Sequence, residues 1–366
     1  MTGPRPPSSE EPAVTTGSPA VKDDADTPVD VVCLGESMVT FLPARPGRLA
    51  DVPAFERTIG GAESNVACAL AAAGHGTRWV SRVGADGFGD HLVEAIGSYG
   101  VDVRAVRRDP DRPTGIYFRT ADDRAADGHE VLYYRAGSAA SAMSPATVPY
   151  RDLWTGRILH LSGITAALSD DCLALMRDLV VHRPGRPLVS FDVNYRPGLW
   201  RDAAGPRVLL DLARGADIVF VGEDEAEAAW GLRGAAAVRA ALPEPEVLVV
   251  KQGAAGATVF AREDSPASGE AGCFAPSPRV DVVAPVGAGD AFAAGFLSAT
   301  LRGLGVRDRI RHGHLMAAAV LTVPGDLTQP PARAHADRLV ALDGTAWGRL
   351  RLGPGWTGDD QEVRTS

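Results

Sequence analysis

The chain has 366 residues, of which 45% are hydrophobic, and a formal net charge of −9. That length suits one large domain with a smaller appendage, and the acidic balance speaks against a nucleic-acid surface. No stretch approaches the roughly 20 apolar residues of a membrane span. The cysteines, Cys33, Cys68, Cys172 and Cys273, form no CxxC pair, and the histidines form no HExxH. Reduced thiols in a cytoplasmic protein without a protein-held zinc are therefore expected. Residues 1–28, rich in Pro, Ser, Thr and acids, are read as a disordered tail, and so are residues 355–366.

In chain order, residues 29–36 predict a short buried strand ending in Gly35-Glu36. Ile59-Gly60-Gly61-Ala62-Glu63-Ser64-Asn65 leads into a helix of small residues over 66–73. A strand over 79–83, a glycine turn over 84–89 and a helix over 90–99 follow, with Gly100 as the stop. Residues 114–119 and 130–135 predict paired strands around the polar connection 121–128. With residues 38–58, the segment 103–138 is expected to form a small sheet inserted into the larger domain. Beyond it, strands at 158–161, 188–193, 218–221 and 247–251 alternate with helices, which predicts a parallel sheet covered on both faces. Ligands of such sheets bind past the carboxyl ends of the strands. Polar candidates there are Glu36, Asp192, Asn194, Arg196 and Glu225, with Gly253 beside them.

The most informative stretch is Pro285-Val286-Gly287-Ala288-Gly289-Asp290, which runs into the small-residue helix 291–296. Three small residues before an acid leave backbone N–H groups uncovered at a helix start, where an anion is favoured. A carboxylate at the mouth of that pocket can take a proton from an alcohol attacking an amide-bound phosphate. The competing reading is a buried, capped helix preceded by a tight turn.

Gly60-Gly61-Ala62-Glu63-Ser64-Asn65-Val66-Ala67 and Gly287-Ala288-Gly289-Asp290, in that order and spacing, resemble the ribokinase-like (PfkB) carbohydrate kinases over about residues 29–350. The resemblance is nearest to 2-keto-3-deoxygluconate kinases. It rests there on Gly35-Glu36, on Tyr133-Tyr134-Arg135-Ala136-Gly137-Ser138-Ala139, on His160-Leu161-Ser162-Gly163-Ile164, and on Asp192-Val193-Asn194-Tyr195-Arg196-Pro197-Gly198-Leu199-Trp200. It implies a ribokinase-like α/β fold: a central, mostly parallel sheet flanked by helices, with a β-sheet lid from about 38–58 and 103–138. ATP and Mg²⁺ are the implied cofactors, an acid sugar phosphorylated on its 6-hydroxyl the implied substrate, and a homo-oligomer the implied assembly.

By motif position, the resemblance makes Asp290 the general base and the amides of Gly287, Ala288 and Gly289 the anion hole. Sugar contacts would come from Glu36, Gly60, Gly61, Asn65 and Tyr117. Tyr133, Arg135 and Arg196 would add the polar and cationic groups that suit a carboxylate. Lys251, Gly253, Gly256 and His314 would lie on the nucleotide side, and Glu225 would help order Mg²⁺ through water. The chain departs from the family pattern at Ala284-Pro285, at Gly222 and at His314. A kinase for fructose, ribose or a deoxy-keto-inositol acid is the alternative within the family. A sugar-binding regulator without turnover is the alternative outside the enzymes.

Overall fold

The computed structural model describes residues 28–45, 47–120, 131–200, 203–262 and 272–358. The apolar, β-branched runs of the sequence form an eight-stranded sheet. Its order is Cys273–Pro276, Gly256–Ala261, Val247–Lys251, Ile218–Gly222, Leu188–Asp192, Ile158–Ser162, Val31–Leu34 and Thr77–Val80. Every neighbouring pair from Val247–Lys251 to Thr77–Val80 is parallel. The two strands at the other edge are antiparallel.

Side chains alternate across this sheet with period two and feed a core on each face. Val32, Leu34, Leu161, Phe191 and Val221 pack on one side with helices Asp170–Leu179 and Gly205–Arg214. Val31, Cys33, Phe220 and Val249 pack on the other with helices Ala62–Ala72 and Ala288–Leu301. The expected central sheet and flanking helices are therefore present.

A separate four-stranded sheet runs in the order Phe55–Gly60, Met38–Pro43, Ile116–Arg119, Val131–Tyr134. Its centre holds the stacked rings of Phe41 and Phe118, with centroids 4.8 Å apart. The connection 121–128 falls outside the described residues, as do residues 1–27 and 359–366 of the two expected tails.

Four local expectations shift. The strand read over 79–83 is two strands, Thr77–Val80 and Arg82–Gly84, and the second leaves the main sheet to pair with Arg107–Asp109. The small-residue helix starts at Ala62 rather than 66, because Gly61 serves as its N-cap. Beyond the strand at 247–251 the sheet gains two antiparallel edge strands, Gly256–Ala261 and Cys273–Pro276, that the sequence pattern does not predict. Trp356, assigned to the second tail, is 3% exposed and packs with Trp347 and Leu352. A lone indole among glycines carries no periodicity, yet burying it is strongly favourable.

Candidate active site

At the carboxyl ends of the parallel strands the two sheets face each other across a cleft of about 750 Å³. Its floor is the start of helix Ala288–Leu301. Gly287 is the N-cap with φ 79°, and no side chain caps the helix. The N–H groups of Ala288, Gly289 and Asp290 thus have no intrahelical acceptor and front the cleft. The two glycines differ in kind. A Cβ on Gly287 would lie 2.6 Å from the Asp326 carbonyl oxygen, so only glycine fits both the space and the left-handed φ. A Cβ on Gly289 would meet only Lys251 Nζ, at 3.5 Å, so the gap at that position is open to whatever the cleft receives.

Asp290 accepts a hydrogen bond from Asn65 Nδ2 at 2.8 Å. Burial, reinforced by the neighbouring charges of Asp192 and Asp326, pushes its carboxyl up to about 7, against the pull of Asn65 and Lys251. A carboxyl poised near neutrality can both accept and return a proton. Lys251 ends its strand with Nζ 3.1 and 2.8 Å from the two Asp192 oxygens. Burial opposes its charge, but Asp192, Glu225 and Asp290 outweigh it and raise its pKa, so it is fully protonated. Below it, burial and the Lys251 charge hold His160 at about 3, a neutral core histidine bonded to Ser190.

The small sheet supplies the other wall. Tyr117 and Tyr133 lie on paired strands with ring centroids 5.4 Å apart. Gly60 and Gly61 line the cleft, yet both are also demanded by packing. A Cβ on Gly60 would fall 2.4 Å from the Tyr117 hydroxyl, and one on Gly61 2.5 Å from the Glu36 carbonyl oxygen. Asn65 lines the cleft too, but its amide is spent on Asp290, leaving Oδ1 buried without a partner.

The cleft arginines do not stand as open forks. Arg135 pairs with the buried carboxylate of Glu36. Arg196 reaches Glu225 Oε1 at 3.1 Å while remaining half exposed. A neutral sugar would therefore not strand an unpaired Arg135 guanidinium, because the protein provides its own counter-ion. Glu225 accepts from the Gly222 N–H with its second oxygen at 2.9 Å, so it caps its helix as well.

On the nucleotide side, Lys251 lines the cleft while three predicted residues do not. Gly253 lies in an exposed turn with φ 56°. Gly256 is buried, and a Cβ there would strike the Ala275 carbonyl oxygen at 2.4 Å, so the packing of the antiparallel edge demands glycine at this position. His314 is packed inside, 3.2 Å from the Ala275 carbonyl oxygen and edge-on to Phe292. Burial lowers its pKa to about 4.

Two cleft residues were missed outright. Arg119, on the small sheet, pairs at 2.7 Å with Asp326, and both side chains are under a tenth exposed. Asp326 lies in the irregular segment after helix Val306–Leu321, where no periodicity marks a site. Asn194, seen only as a strand-end candidate, has φ 42° and a buried, unpartnered Oδ1 in the cleft. A non-glycine residue in that conformation marks a position that something else over-determines.

A family-wide sequence model described as pfkB family carbohydrate kinase matches residues 29–333. A 2-dehydro-3-deoxygluconokinase of Bacillus subtilis (strain 168) is 35% identical, the match covering 83% of this chain and 93% of the relative. One of Thermoproteus tenax is 33% identical, over 87% of this chain and 96% of the relative. A PfkB protein from Polaromonas sp. JS666 superposes with a TM-score of 0.73 at 33% identity, covering 86% of this chain and 100% of that one. A sugar kinase of Pyrococcus horikoshii in complex with ATP gives 0.72 at 25% identity, over 86% and 98%. Among the described residues, no helix is long and apolar enough to cross a membrane.

Proposed function

This chain belongs to the pfkB family of carbohydrate kinases, and from that premise we propose that it phosphorylates the 6-hydroxyl of 2-keto-3-deoxygluconate. It is an ATP-dependent sugar kinase. The observation that carries the reading is the Asp290 carboxylate, held by Asn65 in the first turn of an uncapped helix at the cleft floor, where burial pushes it up to about 7. The relatives' substrate supports the acid sugar, and the nearness of Arg135 and Arg196 to the cleft supports a carboxylate there.

In the proposed step, Asp290 takes the hydroxyl proton while the sugar oxygen attacks the γ-phosphorus. The P–O bond to the β-phosphate breaks and ADP leaves. Because Gly287 is the N-cap, the anion hole shifts by one residue from the expected Gly287–Gly289: the N–H groups of Ala288, Gly289 and Asp290, with the Lys251 ammonium beside Gly289, stabilise the charge on the transferring phosphoryl group. Asn65 fixes the carboxylate that acts as base. Mg²⁺, when bound, neutralises phosphate charge. Among the described residues no group of three or more His, Cys, Asp or Glu is placed to hold it, which suits an ion carried by phosphates and water. Each Glu225 oxygen accepts one protein hydrogen bond, and Glu225 would help order such an ion through water.

A neutral sugar remains a second reading, favoured by one observation: Arg135 and Arg196 already have carboxylate partners. The position of the phosphate in the product, read by phosphorus-coupled NMR, tests the proposal. Phosphate on oxygen 6 of the keto-deoxy acid is expected. Phosphate on another oxygen, or none, overturns it.

The assembly proposed with this function is a homo-oligomer paired through the small sheet. On the face away from the cleft, its edge strand Val131–Tyr134 exposes Leu132 and Tyr134 at 47% and 58%. Such an edge offers backbone groups and apolar area to a second copy. Light scattering tests this. Tyr134→Lys is expected to halve the particle mass, and a monomeric parent would refute the pairing.

A further inference from the structure

Glu36 closes the first strand of the main sheet with its side chain 1% exposed. One carboxylate oxygen accepts a hydrogen bond from the Ser138 hydroxyl, and the other pairs with Arg135 Nη2. The Arg135 side chain is itself only 10% exposed, with its guanidinium 5.8 Å from the Tyr133 ring centroid. Its Nε is buried without an acceptor. Gly115 gives the pair its room, since a Cβ there would lie 2.9 Å from Glu36 Oε1 and 3.4 Å from Arg135 Cβ. A residue of the main sheet thus neutralises the arginine of the small sheet, across the wall of the cleft.

A neutral sugar can enter and leave this pair intact. A carboxylate cannot be indifferent to it, because two anions then address one guanidinium. We propose that Glu36 is a specificity-determining residue: the resident counter-ion of Arg135, which the carboxylate of an acid sugar displaces. This deepens the acid-sugar reading and rests on it. In the exchange Arg135 is never left without an anion, while the buried Glu36 keeps the Ser138 hydroxyl but loses its counter-ion, and that loss is set against the acid sugar's binding. No covalent bond or proton moves. The resident carboxylate therefore competes with the substrate, and affinity for the acid sugar stays below what Arg135 alone would give.

The test is Glu36→Gln, which keeps the shape and the acceptor for Ser138 but removes the competing charge. KM for the keto-deoxy acid is expected to fall about tenfold, within the range of couplings between close charges. The ratio of the fructose KM to the keto-deoxy acid KM is therefore expected to rise about tenfold. In an Arg135→Ala background the same substitution is expected to do nothing. A rise in KM for both sugars would overturn the proposal, because Glu36 would then be holding a sugar hydroxyl. A rise for the acid alone would also overturn it, because Glu36 would then only orient Arg135. So would a fall that persists without Arg135. Should Glu36→Gln fail to fold by circular dichroism, Glu36→Asp draws the charge back from Arg135 and is expected to lower the same KM. A parent enzyme indifferent to the sugar's carboxylate refutes the acid-sugar reading itself, before any variant is compared, and the exchange with it.

Discussion

Replacing Asp290 by Asn should weaken the enzyme and strengthen the fold, in a way that pH separates. The carboxyl titrates near 7 instead of its ordinary 3.8 because burial, Asp192 and Asp326 disfavour its charge. Between those two values the folded protein holds a proton that the unfolded chain has lost. Asp290 therefore subtracts stability progressively as pH rises through that window, and fully only above about 7. Taken at face value the displacement amounts to about 4 kcal/mol at pH 8. The carboxylate opens on the cleft and water screens it, so a realised gain of about 1–2 kcal/mol is expected on neutralising it. For a chain this long that is a rise in Tm of about 2–3 °C at pH 8, shrinking to nothing near pH 4. The same substitution removes the base, and kcat should fall about 10²- to 10⁴-fold with ATP binding retained. Differential scanning calorimetry across pH, beside steady-state kinetics, reads both effects. A Tm gain independent of pH would refute the electrostatic account, and an undiminished kcat would refute Asp290 as the base.

Further outcomes follow from the same geometry. The parent's kcat/KM should climb with pH through about 7 as Asp290 ionises, and a flat profile from pH 5 to 9 would contradict this. Asn65→Leu removes the one side-chain donor to Asp290, so the ascending limb should move to higher pH; a limb that stays in place would show that Asn65 does not tune the base. Gly287→Ala forces a Cβ into the Asp326 carbonyl at a left-handed φ and should cost at least about 1–3 kcal/mol, visible in urea melts. Gly289→Ala meets no such obstacle, so its melt should match the parent's while turnover drops by more than tenfold. Equal melts for the two glycine variants would count against this distinction.

Much of this molecule was legible in its sequence because the informative signals are local. The apolar runs at 218–221 and 247–251 became strands where expected, since a fully buried parallel strand has no other way to look. Gly287 to Asp290 was readable because small residues at a helix start leave amides uncovered whatever surrounds them. What escaped was pairing at a distance. Nothing near Glu36 announces Ser138 and Arg135, and Asp326 sits in a segment without pattern, so neither partnership could be read from spacing. Gly253, Gly256 and His314 lie outside the cleft lining. A strand followed by glycines looks alike whether it turns toward a nucleotide or into an antiparallel edge, and here Gly256 opens the edge strand.

In the proposed reaction this cleft moves phosphate from ATP to an acid sugar. ADP release with ATP and Mg²⁺ tests it most directly, comparing 2-keto-3-deoxygluconate, its galacto epimer, fructose and ribose at equal concentration. Rapid release with the keto-deoxy acids and little with fructose or ribose is the predicted result. Equal or faster release with a neutral sugar would contradict the carboxylate, and sugar binding without any ADP release would contradict the kinase.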